Sequence, residues 1–507
     1  MTSISNHLFS RFNQARFAAF ALLLAFSCAA SEANAFRSSA IAEAKLDAIS
    51  GWPQAAPAAP ANPRTMTFPQ LKFQIPKTER VQLKNGMVVY LLPDRELPIV
   101  NLTSYLNVGS IYEPDAKVGL ASLTGATLRS GGTLKTAPEK LDRELEFMAS
   151  SIESGMNSDN ASVSFSTLSR NLDRTLTLFA EVVREPAFDP ARFELAKSHA
   201  IEGIRRQNDD PKGVAGRELT RAIYAGHPLG RIPTVATVNA ITRDDLIAFH
   251  KRYFYPANMI LAVSGDFDRA ELLKKLEALF GDWPNQSAPF PVLPKPNEEM
   301  TPAVLHVQKE VNQSVIRMGH LGIDKNNPDL YAIKVMDYIL GGGFTSRLTQ
   351  EIRSNQGLAY NVDAYFDPGR RFKGPFIAET ETKVESTART IKLLESIITG
   401  MTQAEVSEAE LQLAKDSIIN SFIFAFEKSS SVVAQQARLE FYGYPKGYLE
   451  NYRDNIARVT RADVLRVAKQ YLRPDAMKLV VVGDEKKFDQ PLSKFGKVQE
   501  IKLNNNK

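Results

Sequence analysis

Ile241-Thr242-Arg243-Asp244-Asp245-Leu246 opens a stretch that runs through Tyr253, Pro256 and Met259 to Gly265-Asp266. Val459-Thr460-Arg461-Ala462-Asp463-Val464 opens another, through Tyr471, Pro474 and Met477 to Gly483-Asp484. The two stay in register at an offset of 218 residues without a gap. Upstream, His227-Pro228-Leu229-Gly230 is answered by Tyr444-Pro445-Lys446-Gly447. Each copy predicts a helix with a threonine N-cap, because the hydroxyl satisfies a free N–H of the first turn, and an end before proline. A strand follows in each (259–263 and 477–482), stopped by glycine. Identical residues kept in register this far exceed a loose helix-turn-strand coincidence. The chain is therefore expected to be a tandem duplication of one unit of roughly 210–220 residues, within the size of a single domain.

Working outward, Val100, Leu102 and Leu106 share one face of a predicted strand, with Asn101, Thr103 and Asn107 on the other. Val163 and Phe165 alternate with Ser162, Ser164 and Ser166 in the same half-buried way. Thr136-Ala137-Pro138-Glu139 has capping-box spacing at a helix start, and Asp189-Pro190 is an N-cap followed by proline at the first helical position. Strand and helix signals alternate irregularly. The expected class is α+β: two homologous α/β sandwich modules, each a mostly antiparallel sheet with helices packed on it. Residues 284–302 carry six prolines and no sustained periodicity, which predicts a linker between a module at 69–283 and another at 303–507.

The first 35 residues stand apart. Arg11 and Arg16 precede an apolar run from Phe17 to Ala30, and Ala33-Asn34-Ala35 closes the segment. A positive start, a short apolar run and a small-x-small end predict a secretory signal peptide cleaved between Ala35 and Phe36. The run is shorter than the ~20 apolar residues that span a bilayer. Cys28, the sole cysteine, lies inside it behind Ala25-Phe26-Ser27, a poor lipoprotein signal, so the mature chain offers neither disulfide nor thiolate metal site. Residues 36–68 are Ala/Pro-rich and predict a mobile N-terminal arm. Cleavage removes Arg11, Arg16 and Glu32 and leaves 60 basic and 56 acidic residues, a net of +4 too small and dispersed to argue for nucleic acid. No second apolar run approaches membrane length. A periplasmic or secreted protein, without a membrane anchor after cleavage, is expected.

Gly109-Ser110-Ile111-Tyr112-Glu113-Pro114-Asp115, Gly119-Leu120-Ala121 and Gly132-Thr133 together resemble the region around the active-site helix of the pitrilysin/insulinase family of inverted-motif zinc peptidases. In that family Gly-Leu-Ala runs into His-x-x-Glu-His. The two histidines bind zinc from one helix face, the Glu is the general base on the zinc-bound water, and a Glu on a later helix completes the ligands. This chain has Ser122-Leu123-Thr124-Gly125-Ala126 instead. Ser122 and Ala126 fill the ligand positions and Gly125 the base position. The later helix aligns through Ala200-Ile201-Glu202-Gly203-Ile204, which puts Gly203 at the third ligand, while Glu202 would point about 100° away. The resemblance thus implies no metal and no catalytic base in this chain. The six histidines, His7, His199, His227, His250, His306 and His320, include no pair with helical metal spacing, so each is expected at the surface or satisfied in the core.

The second half retains more. Gly341-Gly342-Gly343-Phe344-Thr345-Ser346-Arg347-Leu348 leads to Glu351-Ile352-Arg353 and then to Gly357-Leu358-Ala359-Tyr360. This resembles the family's second-module segment, in which an Arg and a Tyr seven residues later bind substrate backbone and stabilise the tetrahedral intermediate. Arg353 and Tyr360 match that spacing. Taken without the resemblance, Arg353 is a surface ion pair and Tyr360 a core ring. The triple glycine lacks the Lys-Ser/Thr of a phosphate loop and is expected to cap or pack a helix. The resemblance covers about residues 75–490. It implies a non-catalytic subunit of an exported heterodimeric zinc peptidase, whose partner is a family subunit with an intact zinc motif and whose substrates are peptides. The alternative is a structural or peptide-binding scaffold of the same fold.

Overall fold

The computed structural model describes residues 73–285, 289–299 and 301–503; the signal segment (1–35) and the Ala/Pro-rich arm (36–68) lie outside them. A side-chain period of two puts every second residue of a strand on one face. At 99–106 this buries Val100, Leu102 and Leu106, and on the neighbouring strand Val163 and Phe165. The first half of the chain builds a sheet from β1 (Glu79–Gln82), β2 (Val88–Pro93), β3 (Ile99–Leu106), β4 (Ser151–Met156), β5 (Ala161–Leu168) and β6 (Met259–Gly265). Its order is β1-β2-β6-β3-β5-β4. The second half builds another from β7 (Ala303–Gln308), β8 (Gln313–Leu321), β9 (Val362–Phe366), β10 (Pro375–Lys383), β11 (Lys478–Gly483) and β12 (Val498–Glu500). Its order is β12-β7-β11-β8-β10-β9.

Pairing is antiparallel except between β2 and β6, β7 and β11, and β7 and β12. Five strands of one sheet therefore match five of the other in order, β2-β6-β3-β5-β4 with β7-β11-β8-β10-β9. Only the outermost differ: β1 joins antiparallel and β12 parallel. The class is α+β, with two mostly antiparallel sheets backed by helices.

The first half supplies α1 (Leu120–Ser130), α2 (Pro138–Phe147), α3 (Leu172–Arg184), α4 (Pro190–Arg206), α5 (Pro211–Ile223), α6 (Val235–Asn239), α7 (Arg243–Tyr253) and α8 (Arg269–Phe280). The second supplies α9 (Leu330–Leu340), α10 (Thr387–Met401), α11 (Glu408–Ser421), α12 (Ser429–Phe441), α13 (Tyr452–Arg458) and α14 (Arg461–Tyr471). The repeated stretch forms α7–β6 and α14–β11. Thr242 and Thr460 each close a reciprocal capping box, with Asp245 and Asp463. Asp189 caps α4 by accepting from the N–H groups of Ala191 and Arg192, both at 3.0 Å. The box expected at Thr136 is not formed. Ala137 is the N-cap of α2, and the Thr136 hydroxyl instead donates to Glu181 at 2.8 Å. A carboxylate on α3 is the stronger acceptor site for that hydroxyl, and Pro138 in the first turn has no N–H to be capped.

Each sheet buries one face beneath its own helices, around Leu102, Phe165, Phe179 and Phe280 in the first half and Ile316, Met318, Phe376 and Ile391 in the second. The opposite faces are covered reciprocally. α5, from the first half, lays Val214, Ala215, Leu219 and Ile223 against Leu305, Val315, Val480 and Val482 of the second sheet. α12, from the second half, lays Val433 and Ala437 on Ala262 of the first. Arg80 makes a forked pair with Glu440 at 2.7 and 2.8 Å, and Asn160 donates to the Tyr442 hydroxyl at 2.7 Å. The described residues of 284–302 contain no helix or strand.

Candidate functional site

α1 starts where Gly119 takes φ +110° and the buried Glu113 carboxylate accepts from the N–H groups of Gly119 (3.1 Å) and Ala121 (2.5 Å). Negative charge at a helix N-terminus is favourable. Burial pushes the Glu113 carboxyl above its usual range, opposed by those two N–H groups and by Arg231. Leu123, Thr124 and Leu128 point into the core, while Ser122 and Ala126 are exposed, one turn apart. Gly125 is buried against β4. A Cβ there would lie 2.6 Å from the Met156 nitrogen and 2.9 Å from the Gly155 carbonyl carbon. The Ser154 hydroxyl locks the contact by donating to the Gly125 carbonyl at 2.7 Å.

Gly203 is exposed on α4, which packs along α1, and a Cβ there would meet nothing within 4 Å. Glu202 is engaged elsewhere, by Arg206 one turn on, at 2.8 Å. The four positions thus carry a hydroxyl, a methyl and two hydrogens. They offer neither imidazole nor carboxylate and do not fit a zinc ion. At Gly125, moreover, the space for a side chain has closed.

Among the described residues the histidines are exposed or have protein partners. His199 is exposed. His227 accepts from the Leu229 N–H at 3.1 Å through Nδ1, so its other nitrogen donates to the Pro294 carbonyl. His250 and His320 are buried, which pushes both down to about 4. Residue spacing gave no warning that His306, Glu485 and Glu500, from β7, the turn after β11, and β12, would meet within 4.8 Å. The His306 ring lies 2.7 Å from Glu500 Oε1 and 3.1 Å from the Gly483 carbonyl oxygen, so both of its nitrogens have protein partners.

In the second half the triple glycine ends α9. Gly341 is its C-cap, and a Cβ there would sit 2.2 Å from the Ala364 nitrogen; one at Gly343 would meet the Tyr338 ring at 2.9 Å. Close packing of the helix end on the β9 backbone requires glycine at 341. Thr349–Asn355, which carries Arg353, is a π-helix, a wider turn found often at functional sites. Gly357, at φ +61°, ends it, with its N–H on the Arg353 carbonyl at 3.1 Å. Thr382 and Thr380 hold the carbonyls of Leu358 and Asn361, at 2.8 and 2.7 Å, on either side of Tyr360.

Arg353 and Tyr360 do meet: the guanidinium lies 4.7 Å from the Tyr360 ring centre. It also lies over the ring of Phe344, 5.2 Å from its centre. Both rings are largely exposed, Phe344 by 76% and Tyr360 by 84%. Among the described residues no carboxylate lies within ion-pair distance of Arg353, and no hydrogen bond or ring contact ties the pair to α1. The surface ion pair and the core ring expected without the family are both absent. Phe344 is the residue that sequence reasoning left out of the site; its place next to the triple glycine was the available signal. On α9, burial pushes the Asp337 carboxyl up to about 8, against the Phe366 N–H and Lys334.

Residues 89–236 match the family model described as Insulinase (Peptidase family M16), and residues 240–418 that described as Peptidase M16 inactive domain. The chain belongs to the M16 family. A relative, an uncharacterized zinc protease of Mycobacterium leprae, is 27% identical over 402 residues, covering 78% of this chain and 89% of that protein. A protein of Helicobacter pylori named a non-peptidase homolog is 23% identical, over 75% of this chain and 87% of its own length. The crystal structure of a peptidase M16 inactive domain from Pseudomonas fluorescens superposes with a TM-score of 0.72 at 27% identity, covering 80% of this chain and 98% of that one. The periplasmic protease PqqL from Escherichia coli shares the fold, with a TM-score of 0.69 at 15% identity, over 81% of this chain and 46% of that one.

Proposed function

We propose that this M16 chain is the non-catalytic subunit of an exported, heterodimeric zinc peptidase, and that its second half lends Arg353 and Tyr360 to the zinc centre of a family partner. The observation that carries this reading is a guanidinium lying over two exposed rings, with no hydrogen-bond or ion-pair partner among the described residues, in a chain whose own ligand positions hold only Ser122, Gly125, Ala126 and Gly203. A guanidinium fork and a phenol are donors suited to peptide carbonyls and to the oxyanion of a tetrahedral intermediate. Zinc, base and attacking water belong to the partner. The substrate is a peptide held extended, as an added edge strand. The positively charged, short apolar start of the chain supports export, and the periplasmic location named for PqqL agrees with it.

The non-peptidase name of the H. pylori relative favours a second reading, a peptide-binding or structural scaffold. Capture of the tagged full chain from its own cells, followed by metal analysis of what is captured, separates the two. The peptidase reading expects a second M16 chain and one zinc per heterodimer, with none on this chain after the partner is stripped away. Zinc retained by this chain itself, or a captured assembly free of zinc, contradicts it.

A further inference from the structure

We propose that Phe344 is a positioning residue for Arg353: its ring forms the second wall of an aromatic clamp that holds the guanidinium, with its N–H edge free, in the orientation needed to meet a substrate carbonyl. The inference rests on the reading of Arg353 given above and deepens it.

Three observations converge on it. The Arg353 guanidinium lies over two rings, Tyr360 at 4.7 Å and Phe344 at 5.2 Å, with no carboxylate of the described residues to fix it. A guanidinium stacked on ring faces keeps its donors in plane and unspent, whereas a salt bridge would consume them. Phe344 is also 76% exposed, a poor position for an aromatic ring whose only task is packing. Finally, its backbone is anchored. The Phe344 carbonyl accepts from the Gln350 side chain at 2.9 Å, Ser346 and Thr349 bond at 2.9 Å, and Arg347 forks onto Glu410 at 2.7 and 3.1 Å. Gln350 and Arg353 lie on the same π-helix, so one element fixes both the ring and the cation it faces.

The test is steady-state hydrolysis of a quenched fluorescent peptide by the full chain mixed with a zinc-bearing M16 partner. Phe344→Leu removes the π-face while keeping apolar bulk; Phe344→Tyr keeps the face. Phe344→Leu is expected to lower kcat about tenfold with KM within about twofold, and Phe344→Tyr to stay within about twofold of the natural chain, since orientation of a donor acts on the transition state. If Phe344→Leu leaves kcat unchanged while Arg353→Ala lowers it, the clamp is overturned and the function of Arg353 stands. If neither substitution matters, both readings fall. A measurement needing no partner runs alongside. In the arginine-labelled full chain, the Arg353 Nε–H resonance should be ring-shielded and should move toward the free-arginine position in Phe344→Leu. An unmoved resonance overturns the clamp.

Discussion

Arg353 carries five N–H donors and Tyr360 one hydroxyl, and what each is worth is separable by substitution. Tyr360→Phe keeps the ring over the guanidinium and removes only the hydroxyl. Turnover of the two-chain mixture should fall about 10²-fold, the loss typical of one oxyanion donor, with thermal stability unchanged because the ring is exposed. Equal kcat values for Tyr360→Phe and the natural chain would remove the hydroxyl from the account. Asp337 titrates in the opposite sense from most carboxylates. Burial raises it to about 8, so the folded chain holds a proton that the unfolded chain releases near its ordinary value of 3.8. The native state then binds more protons between those values, and the stability this group contributes is lost as pH rises from about 4 through about 8. Asp337→Asn should flatten that decline in denaturant melts taken across the range. A slope that persists in the variant would contradict the assignment. The seven-residue spacing made Arg353 and Tyr360 legible in the sequence, but nothing in a sequence distinguishes an exposed Phe344 from a core phenylalanine. Nor does it show that Asp337, on an amphipathic helix, faces inward.

At the scale of elements, α1 packs on β4 so closely that no side chain fits at Gly125. The loss extends beyond the side chains to the gap between helix and strand, because Ser154 draws β4 onto the Gly125 carbonyl. Gly125→Ala should cost about 1–3 kcal/mol by overpacking, read as a lowered melting temperature, while Ser122→His with Ala126→His should be close to neutral on an exposed face. A neutral Gly125→Ala would mean that β4 does not press on the helix. Gly357→Ala places a methyl in open space but at φ +61°, so its cost of about 1–2 kcal/mol is conformational. The repeat's helix caps and strands were legible, since Thr-x-x-Asp and Pro fix helix ends by local chemistry. The π-helix was not, because its extra residue per turn leaves no mark on composition. Thr136 misled for a different reason: a distant carboxylate, Glu181, claimed the hydroxyl that a local rule assigns to the helix.

The whole molecule is held by exchange. α5 covers the second sheet and α12 the first, so neither half covers the far face of its own sheet. The duplication was plain from the register of its two copies. The exchange was not, because an apolar helix face does not say which sheet it will cover. Each half produced alone should therefore expose an apolar sheet face and fail to fold cooperatively, and coexpression of the two should recover a soluble complex. Independent, cooperative melting of the isolated halves would contradict that. The role proposed for the Arg353 cluster is to act at the zinc centre of a second chain. The most direct test of that role is peptide hydrolysis by this chain alone, by a zinc-bearing M16 partner alone, and by the two mixed. The account predicts no turnover from this chain alone, turnover on mixing, and a loss of about 10²–10³-fold when Arg353→Ala replaces the natural chain in the mixture. Hydrolysis by the lone chain, or full activity with Arg353→Ala, would contradict it.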